Sequence, residues 1–190
     1  MTPAIRILLA FSALGAGLIH LAIGAGAPFP LSVLLVGFGV AELGWAVATL
    51  ATGRIIWPRI TLGGALIPVA VWAVTVALGS GLGVTAADTG LPLYPMLVAS
   101  LFNVFLAVAL TVIGRQRANP AKTAGTTETA TPAKPAGWKF ATALVVGGLV
   151  FSGLTTPALA GTNAGLYAVP HGSHSVPGLE SLNGGGHAGH

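Results

Sequence analysis

Five apolar runs, at residues 5–25, 31–52, 60–82, 93–113 and 140–160, constrain this chain more than any other feature. Each is close to the ~20 residues that an α-helix needs to cross a hydrocarbon core. Unbroken runs suit helices, since membrane strands alternate polar and apolar residues. The chain is 54% hydrophobic and 6% charged. A soluble domain carries roughly 25% charged residues to wet its surface. The expected fold class is therefore all-α: an integral membrane helical bundle of about five transmembrane helices.

The basic residues orient that bundle. Arg6 opens the first run, Arg54 and Arg59 separate the second from the third, and Arg115, Arg117, Lys122, Lys134 and Lys139 separate the fourth from the fifth. On a threaded chain all eight fall on one side. The opposite connections and the tail carry only Asp88 and Glu180 as charges. The positive-inside rule then predicts a multi-pass protein of the plasma membrane, with a cytoplasmic N-terminus and an extracytoplasmic C-terminus. Trp57, Trp138 and Tyr94 fall at the expected interfaces. Basic residues this scattered exclude nucleic acid as a partner. The lipid bilayer is the expected partner, with another membrane protein as a further candidate. The chain has no cysteine, which excludes disulfides, thiolate metal sites and thiol nucleophiles.

Four segments follow: a four-helix core over 1–115, a flexible cytoplasmic linker over 116–137, a fifth helix over 138–160, and a Gly/His-rich tail over 161–190. The linker is rich in Ala, Thr, Pro and Lys and has little to bury; the tail is expected to be poorly ordered as well. Ala158-Leu159-Ala160 before Gly161 has the form of a signal-peptidase site. It is read here as a helix ending in small residues. Pro68 predicts a kink in the third helix.

A tandem pattern runs through the core. Ala13-Leu-Gly-Ala-Gly-Leu18 matches Ala77-Leu-Gly-Ser-Gly-Leu82, and Ala46-Val-Ala48 matches Ala107-Val-Ala109. The core would then be two tandem hairpins, although segments rich in Ala, Gly and Leu also match by chance. In the second register Glu42 falls on Asn103.

Glu42 is the one acidic residue well inside a run. A charge at a helix centre costs roughly 2.5–3.5 kcal/mol on insertion scales, so Glu42 is expected to face other helices and to be hydrogen-bonded or protonated. Gly39, Ala46 and Thr49 share its helix face; Ala99, Ser100 and Ala107 share that of Asn103. Both lie about eleven residues, or roughly 16 Å, from the outer ends of their runs. They are expected to meet near the midplane, either as a proton or ion relay or as a pair that fixes helix packing. His20 lies only about four residues from its outer end. That depth predicts a link to Glu42 through water, or a capping hydrogen bond, rather than direct contact.

Four of the five histidines occur in the last twenty residues, as His171-Gly-Ser-His174 and His187-Ala-Gly-His190. Neutral imidazole is a common ligand for divalent copper and zinc. Two such pairs on a glycine-rich tether would close around one ion, with Glu180 as an added oxygen ligand. The competing reading is a solvated tail with incidental histidines. No nucleophile–base set, phosphate loop or carboxylate pair appears, so no enzymatic activity is expected.

Gly17-Leu-Ile-His-Leu21 followed by Gly37-Phe-Gly-Val-Ala-Glu-Leu-Gly-Trp45 resembles small multi-pass bacterial membrane proteins of the actinobacterial type. These carry His-Leu in the first helix and a polar residue before Trp in the second. The resemblance spans two helices and implies a membrane protein without assigning a function. The first functional expectation is a metal-handling accessory protein whose tail captures copper or zinc. The alternatives are a structural or assembly subunit of a larger membrane complex, and a small proton-coupled transporter using Glu42.

Overall fold

The computed structural model describes residues 3–82, 89–118 and 137–168. Six helices are formed there: α1 (Pro3–Gly24), α2 (Leu31–Thr52), α3 (Pro58–Leu82), α4 (Leu93–Ala118), α5 (Gly137–Ala160) and the single turn α6 (Asn163–Leu166). No strand occurs among the described residues. Five helices are long and apolar enough to cross a membrane, and the protein is an all-α, multi-pass membrane bundle. Lipid offers the backbone no hydrogen bonds, so each span must close its own N–H to C=O ladder.

The helix ends follow local chemistry. Pro28 and Pro30 interrupt the chain after α1, and the Ser32 hydroxyl donates to the Gly24 carbonyl at 2.7 Å, tying the two helix ends together. Gly53 ends α2 at φ 67°, in the left-handed region that glycine enters without a Cβ penalty. Its N–H closes on the Thr49 carbonyl, and its own carbonyl accepts 2.7 Å from Arg6 Nη1. Pro58 then starts α3, where a missing N–H costs nothing.

Two boundaries differ from the expected ones. Helix α4 runs through residues 116–118, which the sequence assigns to the linker; Arg115 and Arg117 in its last turn suit the negative end of the helix dipole. The chain after Gly161 is not irregular from its first residue. Thr162 Oγ1 accepts the Gly165 N–H at 3.2 Å and caps α6. Pro68 lies within α3 without ending it.

Helix α1 is the centre of the bundle, packed along α2, α4 and α5, while α3 packs on α4 and barely meets α2. Tandem hairpins related by a two-fold axis would pack α3 on α2 as closely as α1 on α4, so the bundle is asymmetric. Small residues put α1 at the centre. Ala10, Ala13, Ala16 and Gly17 are all buried, and side chains of that size let helix backbones approach. Two apolar clusters result. Ile19, Ile23, Leu35, Met96 and Phe102 fill one end; Leu9, Ala46, Ala65, Leu106 and Leu110 fill the end that carries Arg6, Arg54 and Arg59.

Candidate functional site

Where these clusters meet, three polar side chains from three helices converge. His20 Nδ1 of α1 lies 2.8 Å from Glu42 Oε2 of α2. Asn103 Nδ2 of α4 donates to Glu42 Oε1 at 2.9 Å. Their relative exposures are 1%, 9% and 0%, so the set is enclosed by protein. Glu42 faces inward because Leu35, Gly39, Ala46 and Thr49 form one buried stripe with it along α2. Ala99, Ser100 and Ala107 form the same kind of stripe beside Asn103.

The structure brings Glu42 and Asn103 together, and it corrects the expected place of His20. Direct contact replaces a water-bridged link because the ends of α1 and α2 that the Pro28–Pro30 link joins are not level. A Cβ on Gly24 would touch Leu35 and Val36, and one on Gly17 would touch Gly39, Glu42 and Leu43. Helix α2 therefore begins about a turn beyond the end of α1, and His20 and Glu42 lie only about one turn, or 5 Å, apart along the axes. Side chains lean toward the N-terminus of their own helix. In this antiparallel pair the two leans converge and close the remaining gap.

Each donor then has a defined role. An ionised carboxylate only accepts hydrogen bonds, so with Glu42 in that form the contact takes the Nδ1–H of His20 as donor and leaves Nε2 as the second ring nitrogen. Asn103 donates through its amide nitrogen, while its Oδ1 is buried without a protein partner, as is Thr49 Oγ1. Among the described residues, no other titratable side chain is in contact with this set. Among the described residues, Arg6, Arg54, Arg59, Tyr94, Arg115, Arg117, Lys139 and Tyr167 stand near helix ends.

Beside Glu42 the near-absence of α2–α3 packing leaves a cavity of about 480 Å³. Phe38, Gly44 and Trp45 of α2 form one wall, Ile60 and Gly64 of α3 the other, and Trp57 stands at its basic end. The Trp45 indole N–H donates to the Ile56 carbonyl at 2.8 Å, which fixes the ring in the wall. Trp57 has φ 44°, a backbone conformation that bulky residues seldom adopt. Sequence reasoning missed this cavity. The available signal was a pair of glycines, Gly44 and Gly64, where an added Cβ would meet nothing within 4 Å. A second groove, of about 340 Å³, runs between α1 and α5 past Phe11, Leu18 and Phe151 and contains no titratable side chain.

The candidate metal ligands His171, His174, His187 and His190 lie outside the described residues, as does Glu180. Among the described residues, no group of three or more His, Cys, Asp or Glu side chains is placed to hold a metal ion. No family model matches the chain, and no curated protein or solved structure matches it either.

Proposed function

We propose that this chain is a small proton-coupled transporter of a bacterial plasma membrane, with a cytoplasmic N-terminus and its tail outside. One observation carries the reading: the buried 2.8 Å contact between His20 Nδ1 and Glu42 Oε2. A lone carboxylate makes a thin proton pathway, but here it has a second titratable group in direct contact. Intramembrane ionisable residues that pair with one another mark functional sites, proton relays among them. A proton taken up at His20 Nε2 changes the net charge of the set from −1 to 0 without breaking either hydrogen bond to Glu42. If the carboxyl itself takes the proton, the Asn103 amide flips and accepts it through Oδ1. The set thus accommodates both protonation states at low structural cost.

Reconstituted vesicles carrying an inward proton gradient and a trapped pH dye test this. Solutes added outside are screened for dissipation of the gradient. Wild-type vesicles should respond to at least one solute class, and Glu42→Gln vesicles to none. A response of equal size in Glu42→Gln, or none across the screen, removes the proposal.

A second reading rests on the tail sequence. The paired His171/His174 and His187/His190 spacings support capture of divalent copper or zinc outside the membrane. That role is compatible with transport and separable from it by truncation.

A further inference from the structure

We infer that the α2–α3 cavity binds a lipophilic organic cation, which exchanges there for one proton on the His20–Glu42 pair. The inference rests on the proton-coupled reading of the same carboxylate and adds the substrate class.

Three features of the cavity select that class. Its volume of about 480 Å³ falls within the roughly 300–1,000 Å³ typical of small-molecule sites. Its walls are apolar and aromatic, with Phe38, Trp45 and Trp57 present. Aromatic faces attract cations, most strongly where water is excluded. The one ionisable group in the lining is Glu42. A neutral apolar ligand would leave that carboxylate without a counter-charge, and an anion would be repelled. Among the described residues, no group of three or more His, Cys, Asp or Glu side chains gathers there to hold a metal ion. A cation with an apolar body satisfies walls and carboxylate together.

The charge arithmetic links binding to the proton. With His20 neutral and Glu42 ionised, the set carries −1 and accepts a monocation. With His20 protonated at Nε2, it carries 0 and the cation meets a second positive charge. The cation enters as the Nε2 proton leaves to water, so total charge is conserved. Among the described residues, no other charged side chain contacts the set. Helix α4 presents the uncharged Asn103. Arg6 pairs with the carbonyl of Gly53, the residue that caps the far end of α2 from Glu42. Arg59, Arg115 and Arg117 stand in or near the terminal turns of α3 and α4.

Tetraphenylphosphonium, titrated into the full chain in mild detergent by calorimetry, is the probe. The expected result is one site per chain and, at a pH low enough for the pair to be protonated, release of one proton per cation bound. Affinity should fall about tenfold per pH unit once the pair is protonated, the slope of one-for-one exchange. Glu42→Gln should weaken binding roughly 30-fold or more, the lower end for removing one member of a buried charge pair. Gly64→Leu provides a second variant that leaves the polar set untouched: it fills open space with a good helix former and should abolish binding. Equal binding of neutral triphenylphosphine oxide would make the cavity a slot for lipid or other apolar ligands and overturn the inference. So would no binding by wild type, or binding that Gly64→Leu leaves unchanged. If the cation fails to bind while another solute drives proton flux, the transporter reading stands without this substrate. If the cation binds through Glu42 with no proton released and no loss of affinity at any pH down to the acid limit of stability, the coupling falls.

Discussion

Gly17 and Gly39 stand back to back where α1 crosses α2. A Cβ on Gly39 would lie 2.8 Å from the Gly17 carbonyl oxygen and 2.7 Å from Leu21 Cγ. His20 and Glu42 each lie three positions further along from these glycines, so this close crossing sets the distance between imidazole and carboxylate.

Replacing Gly39 with Ala therefore pits two effects against each other. Helix propensity favours Ala by about 1 kcal/mol, while overpacking costs about 1–3 kcal/mol. The clash should win, because one of its partners is a backbone oxygen that cannot swing aside. Gly63→Ala on α3, where the added methyl meets nothing within 4 Å, should show the propensity gain alone. Unfolding in mixed micelles, followed by circular dichroism, should give opposite signs for the two variants. Equal effects would mean that the glycine crossing does not set the helix separation.

The polar set makes a sharper expectation. His20→Ala leaves Glu42 buried with one partner, and losing a hydrogen bond to a buried charged group costs about 1.5–3 kcal/mol. Asn103→Ala removes a polar interhelical bond worth about 1–2 kcal/mol at most. Replacing both His20 and Glu42 with Leu should recover most of the loss, since apolar substitution of a buried pair is often neutral. The same double variant should lose all proton coupling. Stability and coupling would then move independently, as expected of a site kept for function. A double variant less stable than His20→Ala would instead make the pair a structural fastener.

Much of this was legible in the sequence, for physical reasons. Five runs of spanning length leave lipid no alternative to helices, and Glu42 and Asn103 stand out because each interrupts an apolar run on a stripe of small residues. His20 was misplaced because depth was counted from helix ends assumed to be level. The offset between α1 and α2 arises from how Gly24 packs at Leu35 and Val36, which no local pattern records. The cavity was illegible for a related reason. It exists because α3 leans on α4 and away from α2, and a missing contact leaves no periodicity.

Orientation can be read directly, since a chain without cysteine gives clean single-cysteine labelling. Phe29, 83% exposed in the α1–α2 link, and Thr52, exposed at the opposite end of α2, are the informative positions. A membrane-impermeant maleimide should label Phe29→Cys in intact cells and Thr52→Cys only after permeabilisation. The reverse pattern would invert the chain and place the basic connections outside, against the positive-inside rule.

The tail yields the last expectation. Protein purified through a non-histidine tag should take up divalent copper or zinc, and removal of residues 170–190 should abolish that uptake. His171→Ala with His174→Ala should weaken it strongly, because one remaining His-x-x-His pair supplies two nitrogens where a closed site needs about four ligands. Protons compete for the same imidazole nitrogens, so acid should release the metal. Truncation should leave the Glu42-dependent proton response intact, because the polar set is built wholly from α1, α2 and α4. If truncation abolished both, the tail and the bundle would form one pathway, and metal would have to be tested as the transported solute. If metal uptake survived truncation, its ligands would have to come from the rest of the chain. There, His20 and Glu42 are the one His–carboxylate pair in contact among the described residues, and the double Leu variant would decide whether they hold it.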